Sequence, residues 1–287
     1  MSPTGEGTLV PLDLSGKNRY TTISEINGGI ISMSHELHLH KIGPINDCRL
    51  TLDTFTVLTG PQANGKSTVA KAVYFFRSVK QDILSIMMQG GPKAVTGESS
   101  SAWHTVLKQR MKDKFLQLFG TSWVMPTDMK MEYQYSSKVS ITVSLDDDYN
   151  DPSRNYIVID FSESIENYLD ALSSHIFTNI TPAQKAYEEK KLNELFDDPY
   201  EPVFIPAGRN LLTLLSTQLN YIFTSLEDSQ LRNIDYVTKR YTELILRLKP
   251  VFAHGMEGVA DRMIDDPTQA KKYERIRPAL NILMDQA

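Results

Sequence analysis

Residues 60–68 read GPQANGKST and place Gly60, Gly65, Lys66 and Ser67 in the spacing G-x4-G-K-S. That spacing wraps backbone around phosphate. Gly60 and Gly65 permit turns that a side chain would obstruct. The run Gly60, Pro61, Gln62, Ala63, Asn64 and Gly65 then becomes an anion cradle at the start of a helix. Lys66 brings a point charge to β and γ phosphates, Ser67 a hydroxyl to Mg²⁺, and Thr68 a second hydroxyl near the α phosphate. The chemistry implied is the binding of a nucleoside triphosphate with its magnesium ion.

Such a loop works only between a strand and a helix, and both are expected. Residues 53–59, DTFTVLT, alternate as a strand does; after the loop, Val69, Ala72, Val73 and Phe76 recur at helical spacing. A second strand is expected at 36–42, ELHLHKI, joined to the first through GPIND, whose Gly43, Pro44, Asn46 and Asp47 are turn formers. His38 and His40 share one face of that strand, and with His35 they invite a metal reading. No Cys, Asp or Glu set follows at ligand spacing, so an ordinary strand face accounts for them.

Residues 1–34 are rich in Gly, Ser, Thr and Pro without a sustained period and read as a flexible extension, with Met33 as the functional start. Helices are expected over ILSIMMQ and over 102–119, where Val106, Met111, Phe115 and Leu118 form an apolar stripe; GGPKAVTGESSS between them reads as a loop. Period two returns in MKMEYQY, KVSITVSL and NYIVIDF, an antiparallel meander between about 129 and 161. Helices follow at 164–177 and 183–196, the latter capped by Thr181 with Pro182 at its first position. EPVFIP reads as a short buried strand. Apolar helices after 211 and over 229–249, the second with Ile234, Val237, Tyr241, Leu244 and Leu248 in register, suggest a helical hairpin, and the chain closes on a further helix at 268–287.

The run from Ile42 to Phe76, IGPINDCRLTLDTFTVLTGPQANGKSTVAKAVYFF, resembles the opening of AAA-family ATPases of ABC/SMC/RecF type, including OLD-like and related bacterial defence ATPases. FIPAGRNLL at 204–212 is similar to the I-P-A-x-R segment that these proteins carry between their halves. The resemblance implies an α/β fold: a P-loop NTPase core of ABC/SMC type with an antiparallel β-subdomain and a helical region. Its expected parts are an extension (1–34), an ATP-binding lobe (35–210) and a helical hairpin or insertion (211–287). It implies ATP and Mg²⁺ as ligands. It also implies a pairing of two such modules, as a homodimer or with a partner ATPase half, and work in DNA maintenance or antiphage defence beside DNA or a nuclease.

Hydrolysis in that family also uses an S-G-G-Q or S-S-G-Q signature, an apolar strand ending in Asp-Glu, and a switch His, and none occurs after position 212. The core is therefore expected to be incomplete, binding ATP with weak or no turnover. Residues 156–160, YIVID, offer one substitute: Asp160 would hold Mg²⁺ and Glu163 would act as the catalytic group orienting water beside Lys66. The other reading makes the same residues the last strand of the meander. Arg209 is open in the same way, as a phosphate or arginine-finger contact or as a structural cation. Lys41 is either a neighbour of the nucleotide base or an exposed strand-end lysine.

Composition narrows the alternatives. The chain has 287 residues, a formal net charge of -5 and a single cysteine, Cys48. One cysteine allows no intrachain disulfide framework, which fits a cytoplasmic protein. The sequence has no apolar stretch of the roughly 18 residues needed to span a bilayer, so no membrane partner is expected. The acidic balance argues against a nucleic-acid-coating surface. Lys108, Arg110, Lys112 and Lys114 form the one candidate basic patch, against the plainer reading of a solvated helix face. Two other functions compete: a nucleotide-switched interaction module that recruits a nuclease, and a self-contained P-loop kinase, for which the arginines are too scattered to make a phosphate lid.

Overall fold

Alternation of apolar and polar residues builds the sheet of the molecule's first unit. The structure is a computed structural model and describes residues 35–52, 56–97, 102–122, 125–146, 157–173, 175, 177, 180–207 and 235–248. The chain divides into two compact units, residues 1–203 and 204–287; the sequence reading put that boundary at 210/211. The expected extension at 1–34, the apolar helix expected after 211 and the helix expected at 268–287 lie outside the described residues.

In the first unit β1 (His35–Ile42), β2 (Ile45–Leu52), β3 (Lys130–Ser136), β4 (Val139–Leu145) and β5 (Ile157–Phe161) form a five-stranded sheet in the order β2-β1-β3-β4-β5. Every pairing is antiparallel. The meander expected at 129–161 is present as β3–β5. No parallel pair occurs among the described residues, so this sheet lacks the parallel strands expected of a typical P-loop core.

Two expectations before the loop need correction. The hairpin closes through the two-residue turn Gly43–Pro44, because Ile42 pairs with Ile45; Asn46 and Asp47 therefore belong to β2. A glycine at the first position of such a turn supplies the positive φ it needs, here 55°. The second strand thus starts eight residues earlier than 53 and ends at Leu52, and residues 56–60 have no regular structure. Alternation in TFTVLT marks strand propensity, but a strand forms only when its N–H and C=O groups find a ladder. EPVFIP is corrected for the same reason: 201–206 has no strand.

One sheet face is apolar and buried, with Leu37, Leu39, Met131, Tyr133, Ile141, Val143 and Ile159 each at most 1% exposed. Helix α1 (Lys66–Arg77) packs here: Phe76 stacks on Tyr133 at 5.2 Å between centroids, and the Tyr135 hydroxyl donates to the Phe76 carbonyl at 2.6 Å. Phe196 closes the cluster against Tyr135. Helices α2 (Val79–Met88), α3 (Pro92–Thr96) and α4 (Trp103–Phe119) follow. The short α3 replaces part of the expected loop, with Pro92 preset for a first helical turn. The stripe Val106, Met111, Phe115 and Leu118 on α4 is buried as expected.

α5 (Glu163–Ser173) and α6 (Pro182–Leu195) complete the unit. Thr181 caps α6 in a reciprocal box: its hydroxyl accepts from Gln184 N–H, and the Gln184 side chain accepts from Thr181 N–H at 2.8 Å. Thr181→Ala should cost about 1 kcal/mol and lower the melting temperature by about 2–4 °C in a thermal scan. In the second unit α7 (Tyr236–Leu248) is described, with Val237 and Thr242 buried. Asp235 caps its start by accepting from Thr238 N–H at 3.3 Å.

Candidate functional site

The candidate phosphate loop leads into a helix N-terminus with no side-chain cap. Lys66 is the first residue of α1, Gly65 is its N-cap at φ 85°, and the first bond of the helix runs from Val69 N–H to the Gly65 carbonyl at 2.9 Å. The N–H groups of Lys66, Ser67 and Thr68 therefore carry no helical bond and point off the helix end, where the macrodipole favours an anion. Ala63 at φ 66° and Gly65, both left-handed, curl the preceding backbone as an anion nest does. Lys66 Nζ folds back over the loop, donating to the carbonyls of Gly60, at 2.8 Å, and Pro61. Ser67 and residues 60–63 are exposed, so a phosphate has open access.

The β1–β2 turn buttresses this loop. A Cβ on Gly65 would fall 2.6 Å from Ile45 Cγ1 and 3.3 Å from Pro44 Cγ, and a Cβ on Gly43 would meet the Thr68 hydroxyl at 3.6 Å. Gly65 is thus required twice, for its positive φ and for the space that Ile45 occupies. Spacing alone accounts for the loop's glycines, but Ile45 and Pro44 as its wall were not legible; the only hint was their position in the quoted IGPI run.

The structure does not bring Asp160 and Glu163 to the loop. Asp160 pairs with Thr142 on the exposed face of β5, at the opposite edge of the sheet from β2 and so four strand spacings, about 19 Å, across it. Glu163 is the first residue of α5 and is exposed, where a carboxylate stabilises the helix N-terminus. This placement favours the meander reading of 156–160. Arg209 lies outside the described residues. Lys41, at φ 48°, forms an ion pair with Asp128 at the exposed end of β1.

The three histidines separate. His38 Nε2 and His40 Nδ1 share Asp47 Oδ1 at 2.9 and 3.2 Å on the polar face, where the hydrogen bond from His38 holds the Asp47 carboxyl below its ordinary range. His35 turns to the buried face. Its Nε2 lies 3.3 Å from the Asp197 carbonyl, which can only accept, so Nε2 carries the proton and Nδ1 accepts from the Tyr133 hydroxyl at 2.9 Å. Burial lowers the His35 pKa and keeps the ring neutral. Among the described residues no group of three or more His, Cys, Asp and Glu side chains is disposed to hold a metal ion.

The candidate basic patch on α4 is dispersed. Lys108 stands over the Phe161 ring at 5.2 Å, Arg110 donates to Gln89 Oε1 at 3.2 Å, and Lys114 is buried against Asp82 and donates to Ser78 Oγ at 2.8 Å. A wholly solvated face therefore does not describe that helix. No helix among the described residues is long and apolar enough to cross a membrane.

The far end of α1 holds a second polar centre that sequence reading missed. Arg77, the helix's last residue, pairs with the buried Asp198. A basic residue in a last helical turn is expected from the macrodipole alone, and nothing in its spacing points to a carboxylate 121 positions away. Compared with family models, curated proteins and solved structures, the chain matches none.

Proposed function

We propose that the chain is the ATP-binding module of an ATPase of ABC/SMC type, with Gly60, Pro61, Gln62, Ala63, Asn64, Gly65, Lys66, Ser67 and Thr68 forming the phosphate and magnesium site. The observation that carries this reading is the loop itself: three backbone N–H groups, one lysine and two hydroxyl residues converge on the uncapped start of α1. Mg²⁺, when bound, would be held by Ser67 and by phosphate oxygens. The loop and Lys66 orient the triphosphate; Ile45 and Pro44 keep the cradle from collapsing or widening.

Turnover needs a positioned water and a carboxylate that holds the metal alongside Ser67. With Asp160 and Glu163 far across the sheet, this module binds ATP and hydrolyses it weakly, until signature and Walker B segments not found in these 287 residues complete the site. ATP binding then drives association with a second module, in DNA maintenance or antiphage defence.

Titration calorimetry with Mg-ATP, and a phosphate-release assay on the same protein, test this. Saturable binding with little release is expected, and Glu163→Gln should leave both unchanged. Robust hydrolysis abolished by Glu163→Gln overturns the incomplete-site reading, and absence of ATP binding overturns the function as a whole.

A further inference from the structure

The α1 helix joins two charged centres. It is 12 residues long, about 18 Å, with Lys66 first and Arg77 last. Arg77 Nε and Nη2 donate to Asp198 Oδ2 and Oδ1 at 2.8 and 2.7 Å, a two-pronged pair around a carboxylate with no solvent exposure. Lys80, 4% exposed on α2, donates to the Asp198 carbonyl, to Asn193 Oδ1 at 3.0 Å and to the Tyr200 carbonyl at 3.0 Å. Asp198 Oδ1 also accepts from Tyr200 N–H at 3.1 Å, and the Asp197 carbonyl takes the His35 bond. The backbone from Asp197 to Tyr200 is therefore gripped from α1, α2, α6 and β1. Directly beyond it, Glu201 and Val203 are exposed and the chain has no regular structure up to Pro206.

The geometry points to a relay: nucleotide occupancy of the phosphate loop is transmitted through α1 and the Arg77–Asp198–Lys80 centre to residues 197–203, the stretch that leads into the second unit. The inference rests on the nucleotide reading of the loop. Lys66 donates to the loop carbonyls of Gly60 and Pro61; a bound phosphate would draw it and the helix N-terminus to the anion and so bias the position of α1 as one body. A buried, two-pronged ion pair does not slip by degrees, because a half-broken pair leaves charge without a partner. Displacement of Arg77 is therefore passed to Asp198 rather than absorbed. Coupling of this kind is reciprocal: ordering of 197–203 raises nucleotide affinity by the factor with which nucleotide orders 197–203.

Amide hydrogen exchange of the full chain, with and without Mg-ATP, tests the relay. In the wild type, ATP should slow exchange in peptides covering 60–68 and, about 5-fold, in those covering 197–203. In Asp198→Asn the 60–68 response should remain, the 197–203 response should vanish, and ATP affinity should fall by about the same 5-fold. Arg77→Lys, which keeps the charge and loses the fork, should weaken the 197–203 response without abolishing loop protection. Slowed exchange at 60–68 with no change at 197–203 in the wild type overturns the relay, whatever the variants do. No binding and no protection at 60–68 overturns the nucleotide reading itself, an outcome separate from failure of the relay alone.

Discussion

Lys66→Ala should reduce ATP affinity by about 100-fold or more, because it removes a charge held at the phosphate cradle and with it at least two charge-assisted hydrogen bonds of roughly 1.5–3 kcal/mol each. The same substitution should barely alter stability. Among the described residues the hydrogen bonds of Lys66 go to the carbonyls of Gly60 and Pro61 on an exposed loop, so a change within about 0.5 kcal/mol is expected. Calorimetric titration and a thermal scan on one preparation read both quantities. Affinity that survives in a folded Lys66→Ala protein would place the nucleotide elsewhere.

Asp198→Ala has the reverse profile. It leaves Arg77 and Lys80 partly or wholly buried without their anion, a loss of about 3–5 kcal/mol by the general cost of breaking a buried pair, or a melting temperature lower by roughly 10 °C. The pH dependence carries the same signature. Burial by itself would raise the Asp198 carboxyl, but the Arg77 hydrogen bonds and charge, aided by Lys80, hold it below its ordinary value. Its unfolded counterpart binds protons more readily, so its contribution is complete above about pH 4 and is lost as pH falls through the lowered native value. His35, kept neutral by burial, begins the acid loss earlier, below about pH 6.5. Denaturant titrations from pH 7 to 3 should show the wild type losing stability more steeply than Asp198→Ala in the lowest part of that range.

Much of the local structure was readable because its causes are local. The Thr181–Gln184 box depends on residues three apart, and the burial of Val106, Met111, Phe115 and Leu118 depends on helical period. The alternation in residues 53–59 misled over 56–59, the described part, because propensity is a property of a segment, whereas a strand is a property of two. The parity of His35, His38 and His40 separates His35 from the other two, but it does not say that Tyr133 and Asp197 wait on one side and Asp47 on the other.

By itself the sequence determined the glycine-framed helix start on which the proposed phosphate site rests, since Gly65, Lys66, Ser67 and Thr68 belong to the one turn of chain that they also create. Only the tertiary structure decided that Ile45 and Pro44 wall the loop, that Asp160 lies across the sheet from it, and that Arg77 finds Asp198. The physical reason is the range of the determinants. Phosphate binding is written in backbone angles and side chains within one turn of chain, while walls, ion pairs and distances follow from strand order and register, which no single stretch specifies.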